Sequence, residues 1–173
     1  MKGLFKILCF VLLISVLLSS CAGIKAKKHH TENNTLAIPP KKINRKALIE
    51  YAERFVGVPY KYGGNTPEEG FDCSGYVKYV FNHFKIEVPR VTRSYSNFGK
   101  KISLKEVQIG DLILFSLYDD KNTIGHIGIV SSTDNGIVKF LHAASGKKSH
   151  KVMESDLKGV HLNRMLFITR VLP

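Results

Sequence analysis

The chain has 173 residues, which is enough for one small domain preceded by a leader segment. Its hydrophobic content of 44% is ordinary for a globular protein, so a single core of real size is expected. The net charge is +12, but the basic residues are scattered and are not interleaved with aromatic residues, which argues against a nucleic-acid-binding protein.

The first 20 residues have the pattern of a signal peptide. Two lysines precede an apolar run at 7–18, which is too short to span a bilayer comfortably. The run ends in Leu18-Ser19-Ser20-Cys21, which resembles a bacterial lipoprotein signal, where the cysteine is acylated and becomes the new N-terminus. An ordinary signal peptide cleaved near Ser20 or Ala22 is the alternative.

Residues 21–43 are predicted to be a flexible tether that carries the lipidated Cys21. The segment contains lysines, asparagines and Pro39-Pro40 without apolar periodicity. Its His29-His30 pair has no further ligands beside it, so no metal site is expected. Once the leader is removed and Cys21 is blocked by lipid, Cys73 is the one free thiol. Because oxidising compartments pair or modify spare thiols, this favours a chemical role for Cys73.

The folded domain is predicted to cover residues 44–173 and to begin with a helix. Asn44 is a suitable N-cap, and Gly57 is the expected stop. The stretch 58–70 is rich in Gly, Pro and Asn, which is typical of a loop. This loop holds Tyr60 and Tyr62, and Tyr62 is expected simply to cover the core.

A second helix is expected to start after Asp72, a good N-cap, so that Cys73 lies in its first turn. Free backbone N–H groups and the helix dipole would favour the thiolate there. Gly75 lowers helix stability, which indicates a close approach by another segment. The alternative for a lone cysteine is a small buried hydrophobe. The apolar positions share one helical face: Tyr76, Val77, Val80, Phe81 and Phe84.

Downstream, the period changes from helical to extended. A short helix is expected at 92–98, and strands are expected at 112–115, 126–131, 137–143, 151–153 and 165–171. A helical half followed by an antiparallel half predicts an α+β domain with one core.

The hairpin between the second and third of these strands brings two histidines together. A three-residue loop, Asp134-Asn135-Gly136, would place His142 opposite Gly128 and diagonal to His126 on the same face. Diagonal side chains are about 7 Å apart, which is close enough for a hydrogen bond between two imidazoles. A one-residue slip would put them on opposite faces. His150 and His161 have no such context.

Three blocks in this order resemble the NlpC/P60 cysteine peptidases: Asp72-Cys73-Ser74-Gly75-Tyr76, Gly125-His126-Ile127-Gly128-Ile129 and Phe140-Leu141-His142-Ala143-Ala144. The resemblance implies a papain-like NlpC/P60 fold, with N-terminal helices packed on an antiparallel sheet. It also implies a Cys73 nucleophile, a His126 base and a His142 orienter. Further roles carry over to four residues: Tyr60 at the oxyanion, Asp72 at a substrate amine, Ser74 at the substrate, and Arg90 at a carboxylate or in a structural role.

The sequence therefore predicts a lipid-anchored cysteine endopeptidase that cleaves peptide stems or cross-links of peptidoglycan without a cofactor or metal. The bond from D-Glu to the diamino acid is favoured, and the D-Ala cross-link is the competitor. The expected partners are stem peptides and, through Cys21, a membrane. The protein is expected to be a monomer in the cell envelope. In a cell that has an outer membrane, it is expected at that membrane, facing the periplasm. The alternative is a catalytically weak wall-binding lipoprotein that uses the same cleft.

Overall fold

The computed structural model of the chain describes residues 43–146 and 149–172. The predicted signal peptide, the lipidation site at Cys21 and nearly all of the predicted tether lie outside these residues. Within the part that is described, no helix combines the length and the apolar character needed to cross a bilayer.

The first helix, α1, covers Arg45–Glu53 and begins where the sequence indicated. The side chain of Asn44 accepts a hydrogen bond from the backbone N–H of Ala47 at 3.2 Å, which confirms the N-cap. The predicted end at Gly57 is wrong by one turn. The chain leaves the helix after Glu53 through a series of turns, and Gly57 closes them with a φ of +97°.

The second helix, α2, covers Cys73–His83. Asp72 is its N-cap, and its Oδ1 accepts from the backbone N–H of Gly75 at 2.6 Å. A Cβ atom on Gly75 would lie 2.1 Å from the carbonyl oxygen of Gly64, so the predicted close approach is confirmed. The loop before α2 contains a two-stranded pairing that the sequence pattern did not indicate, β1 (Asn65–Thr66) with β2 (Gly70–Phe71).

Six further strands form one antiparallel sheet with the order β3-β8-β4-β5-β6-β7. Their bounds are β3 Lys100–Ile102, β4 Leu112–Ser116, β5 Ile124–Ser132, β6 Lys139–Ala143, β7 Val152–Asp156 and β8 Met165–Arg170. Strand β3 and helix α3 (Val160–Arg164) are further short elements that were not predicted. The helix expected at 92–98 is a single 3₁₀ turn, Thr92–Tyr95.

Strand β4 shows how the sheet separates the buried side chains. Leu112 and Leu114 belong to the main core, which α1 and α2 cover, whereas Ile113 and Phe115 belong to a smaller cluster on the opposite face. All five residues of β4 are buried, because both faces are covered at this central strand. Helices on an antiparallel sheet confirm the predicted α+β class.

The β5–β6 hairpin reaches the predicted register by a different route. Ile129 pairs with Leu141, so Gly128 lies opposite His142, as expected. The predicted three-residue loop is wrong: the last pair is Ser132 with Lys139, and a bulge lies between Val130 and Ser132. The connection is therefore longer. Its 3₁₀ turn contains two residues with positive φ, Asn135 and Gly136.

Candidate active site

Cys73 lies at the first position of α2 and is buried, with 8% of its surface exposed. Its sulfur faces three backbone N–H groups, which belong to Ser74, Ile127 and Cys73 itself. Ile127 follows His126 in β5, so the packing of α2 on the sheet brings the thiol to the strand that carries the histidine. The cysteine is the only free thiol among the described residues.

The protonation of Cys73 differs from the expectation based on the helix terminus. Burial, followed by the negative charge of Asp72, raises the pKa of the thiol to about 11. The three N–H groups act in the opposite direction, as expected, but their effect is smaller. The cysteine is therefore a neutral thiol at rest, because desolvation outweighs the helix N-terminus.

The two histidines form a hydrogen-bonded chain that continues to a serine. The Nε2 atom of His126 lies 2.7 Å from Nδ1 of His142, and Nε2 of His142 lies 3.0 Å from Oγ of Ser155. The ring planes of His126 and His142 are nearly perpendicular, at 84°. Ser155 was not singled out in the sequence. It lies on β7, where it pairs with Phe140, two residues before His142 on β6.

This chain restricts where the protons lie. If the Nδ1 atom of His126 is to accept a proton, its Nε2 must carry one and donate to Nδ1 of His142. The Nε2–H of His142 then donates to the Ser155 hydroxyl, which accepts. In this arrangement Nδ1 of His126 has a free lone pair, whereas a Ser155 hydroxyl that donates to Nε2 of His142 would reverse the chain and place a proton on Nδ1 of His126. This nitrogen makes no hydrogen bond to any residue in the described ranges.

Both rings are neutral in this environment. Burial, followed by the positive charges of Arg164 and His161, lowers the pKa of His126 to about 3. Burial, followed by electrostatic repulsion from the neighbouring imidazoles of His126 and His161, lowers the pKa of His142 to about 2. His161 therefore has a context that the sequence did not indicate: its ring lies 5.8 Å from that of His142.

The structure places Cys73 and His126 on adjacent elements but does not bond them to each other. Within residues 43–146 and 149–172, Cys73 makes no hydrogen bond with His126. Catalytic hydrogen bonds are often long in a free enzyme and shorten when substrate binds. The catalytic roles of Cys73, His126 and His142 stay predictions.

Cys73 opens into a cleft of about 550 Å³. Tyr60 lines this cleft and is half-buried; burial, followed by the nearby Cys73, raises the pKa of its hydroxyl. The hydroxyl donates no hydrogen bond within the described chain, so it is available to a ligand. Tyr62 lines the cleft too and is 89% exposed, so the expectation that it covers the core is wrong.

Asp72 and Arg90, two of the predicted substrate contacts, bind each other. The guanidinium Nη1 lies 3.0 Å from Oδ1 and Nη2 lies 2.9 Å from Oδ2, a bidentate ion pair. Arg90 also donates to the carbonyl oxygen of Gly63 at 2.7 Å and to Oγ of Ser74 at 3.1 Å. These contacts give Arg90 the structural role that the sequence left open. Substrate roles for Asp72, Ser74 and Arg90 stay predictions.

No group of three or more metal-ligating side chains occurs in the part of the chain that the structure describes. The donors around Cys73 are instead backbone N–H groups. This arrangement suits nucleophilic attack on a carbonyl, since a thiol and hydrogen-bond donors meet at one cleft and a histidine pair lies on strands β5 and β6.

Comparisons with known proteins agree with this arrangement. The NlpC/P60 family model matches residues 57–171. The probable endopeptidase NlpC of Escherichia coli is 28% identical over 164 residues, which are 94% of this chain and 97% of that protein. The gamma-DL-glutamyl hydrolase of Bacillus subtilis is 38% identical over 102 residues, 58% of this chain but only 24% of the hydrolase. A solved NlpC/P60 family protein from Bacillus cereus superposes with a TM-score of 0.67 at 25% identity, covering 76% of this chain and 41% of that one. The chain belongs to the NlpC/P60 family.

Proposed function

We propose that this protein is a cysteine endopeptidase that hydrolyses amide bonds in the peptide stems of peptidoglycan. The observation that carries the proposal is a thiol at a helix N-terminus, in a cleft, beside strand β5, whose His126 is hydrogen-bonded to His142 of strand β6. Relatives named as endopeptidases and as a glutamyl hydrolase support the same reaction class. A basic chain of net charge +12 also suits a substrate rich in carboxylates.

The reaction begins with transfer of the Cys73 proton to Nδ1 of His126 as the sulfur attacks the amide carbon. The Tyr60 hydroxyl and the Cys73 backbone N–H donate to the oxygen, which becomes negative. When the carbon–nitrogen bond breaks, the leaving amine takes the proton from His126. Water then loses a proton to His126 and attacks the thioester, which releases the acid and restores the thiol. His142 and Ser155 hold the His126 ring throughout.

The proposed bond is the one from D-Glu to the diamino acid, and the D-Ala cross-link is the competitor. Free tetrapeptide stems and cross-linked muropeptides should be digested in parallel, and the products identified by mass spectrometry. Shortened stems are expected. Loss of the cross-linked muropeptide dimers without shortening of the free stems would show that the bond cleaved is the D-Ala cross-link and not the D-Glu bond.

A matched variant tests whether Cys73 performs the reaction. Cys73→Ser is nearly isosteric, so it should keep the fold while wall hydrolysis falls by at least about 10³-fold, since the serine hydroxyl is a much weaker nucleophile at this position. Circular dichroism gives the control for folding. Hydrolysis by Cys73→Ser at the parental rate would disprove the role of the thiol.

The neutral state of the site favours a second candidate, a wall-binding protein with little activity. Its thiol has a raised pKa and no hydrogen bond to His126 within the described residues. Zymography on purified wall separates the two functions, because the binding protein would retain stem peptides without clearing the gel.

We also propose that the protein is a lipoprotein anchored through Cys21 and located at the outer membrane, facing the periplasm, where the cell has one. The sequence Leu18-Ser19-Ser20-Cys21 supports this. Cys21→Ala should move the protein from the membrane fraction to the soluble fraction. If this variant remains in the membrane fraction, the leader itself is the anchor.

A further inference from the structure

The cleft beside Cys73 contains two arginines, and they differ in what they bind. Arg90 is 33% exposed and directs its donors at Asp72, at Ser74 and at two backbone carbonyl oxygens. Arg93 lines the same cleft and is exposed. Its guanidinium makes no hydrogen bond or ion pair with any residue in the described ranges.

Arg93 sets the net charge of the cleft. Asp72 is the one carboxylate among the lining residues, and Arg90 neutralises it. Arg93 therefore leaves the cleft positive, at a site that opens on the thiol. An arginine guanidinium is planar and presents paired N–H donors that match a carboxylate.

The backbone that carries Arg93 is fixed on both sides. It belongs to the 3₁₀ turn Thr92–Tyr95, and the fully buried Tyr95 donates its hydroxyl proton to the carbonyl oxygen of Pro89 at 2.9 Å. Thr92 makes a long hydrogen bond of 3.5 Å to the carbonyl oxygen of Ile124, two residues before His126. The turn thus holds Arg93 at the wall of the cleft, and substrate binding has only the side chain to order.

One carboxylate of the chain, that of Asp120, lies near enough to Arg93 to compete with a ligand for its guanidinium. The positive charge of Arg93 makes a small contribution to lowering the pKa of Asp120, but Asp120 already accepts from the backbone N–H of Asn122 at 2.8 Å and from the hydroxyl of Thr123. No ion pair joins Arg93 and Asp120 among the described residues. The guanidinium is therefore available to a ligand.

We propose that Arg93 is a carboxylate-binding subsite of this cleft, which recognises a free carboxylate of the stem peptide next to the scissile bond. The inference rests on the proposed function. A stem peptide linked through the side-chain carboxyl of D-Glu keeps the α-carboxylate of that residue free, and the diamino acid offers another. A cleft of about 550 Å³ lies in the range of about 300–1,000 Å³ that is usual for ligand pockets, so either group can be within reach of Arg93.

Binding measured without turnover tests the subsite. The full chain carrying Cys73→Ala serves as parent, and the probe is a synthetic tripeptide of L-Ala, γ-linked D-Glu and a diamino acid. Two further peptides have either the D-Glu α-carboxylate or the carboxylate of the diamino acid converted to an amide. Arg93→Gln is compared with Lys105→Gln, which removes one exposed lysine from another 3₁₀ turn away from the cleft.

Arg93→Gln should weaken binding of the unmodified peptide about five- to tenfold, as expected for one charge-assisted contact at an exposed site. Lys105→Gln should leave it unchanged. Amidation of the recognised carboxylate should weaken binding to the parent by the same factor and add nothing further in Arg93→Gln, so the two amidated peptides identify which carboxylate Arg93 binds. Equal binding of all three peptides by parent and Arg93→Gln would overturn the subsite while leaving the proposed function intact. If the parent binds no peptide and the wild type cleaves none, the proposed function fails and the subsite with it.

Discussion

Replacing Asp72 by asparagine separates the two roles that its carboxylate can have. The asparagine of the variant is an equally good N-cap and keeps an oxygen for the backbone N–H of Gly75, so it preserves the start of α2. The substitution removes the negative charge and replaces Oδ2 by an NH2 group, so the bidentate ion pair to Arg90 and the acceptor for the backbone N–H of Gly63 are lost. If Asp72 acts mainly through that pair, the variant loses stability, whereas if it acts mainly on a substrate amine, the variant loses affinity.

The magnitude follows from the exposure of the two partners. The side chain of Asp72 is 12% exposed and that of Arg90 is 33% exposed, so the pair lies between a surface pair, worth about 0.2–1 kcal/mol, and a buried pair, whose disruption costs about 3–5 kcal/mol. Arg90 keeps the carbonyl oxygens of Gly63 and Gly64 as acceptors, which reduces the loss. We expect Asp72→Asn to lower the free energy of unfolding by about 1–2 kcal/mol.

Asp72→Ala is the matched comparison. It removes the cap as well as the charge, whereas the acceptor for the backbone N–H of Gly63, which lies 3.0 Å from Oδ2, is lost in both variants. Loss of an N-cap costs about 1 kcal/mol, so the total should be about 2–4 kcal/mol. Urea denaturation followed by circular dichroism measures both variants. If Asp72→Asn unfolds at the parental urea concentration while KM rises only for peptides with a free amine, the structural interpretation is refuted.

Three other predictions concern the site. Because burial raises the pKa of Cys73 to about 11, the rate of its alkylation by iodoacetamide should keep increasing as the pH is raised above 9. A rate that reaches its plateau below pH 8 would show an activated thiolate instead. Ser155→Ala removes the hydrogen-bond partner of Nε2 of His142, so kcat should fall about three- to tenfold and be rescued by Ser155→Thr. An unchanged kcat and pH profile would show that the serine does not position the histidines. Gly75→Ala should lower the free energy of unfolding by about 1–3 kcal/mol in urea denaturation, because the new Cβ would lie 2.1 Å from the carbonyl oxygen of Gly64. The same change stabilises most helices, so a gain in stability would contradict that contact.

Local signals account for the parts of the fold that could be predicted from the sequence. Asp72 caps α2 through a bond that spans three residues, and the apolar face of α2 follows from its own spacing. The central strand β4 is equally clear, since its residues are apolar on both faces. Each of these features depends on residues within a few positions of one another, which is the range over which a sequence pattern is informative.

The hairpin shows why a register can be right when its loop is wrong. The expected loop of three residues is replaced by a longer connection and a bulge between Val130 and Ser132. The core still requires Ile129 and Leu141 to face α2, because a slip of one residue would expose them. The bulge absorbs the difference, so His126 and His142 meet as the alternation of buried residues demands.

Contacts between distant residues could not be predicted. The Asp72–Arg90 pair spans 18 positions and the His142–Ser155 contact spans 13, and neither arginine nor serine has a pattern that specifies its partner. The protonation of Cys73 is a tertiary effect of the same kind. The first turn of a helix favours a thiolate, but the packing of α2 against β5 buries the sulfur and reverses the outcome.

Asp72 combines a geometric role with an electrostatic cost, and this combination bears on how the site works. Its carboxylate binds the backbone N–H of Gly75 in α2, that of Gly63 in the preceding loop, and Arg90, which also lines the cleft, so one group holds the nucleophile's helix and the cleft together. The same charge raises the pKa of Cys73. A site held in this way has little thiolate at rest. The proton must therefore leave during the attack, and in the proposed mechanism its acceptor is Nδ1 of His126, which makes no hydrogen bond among the described residues.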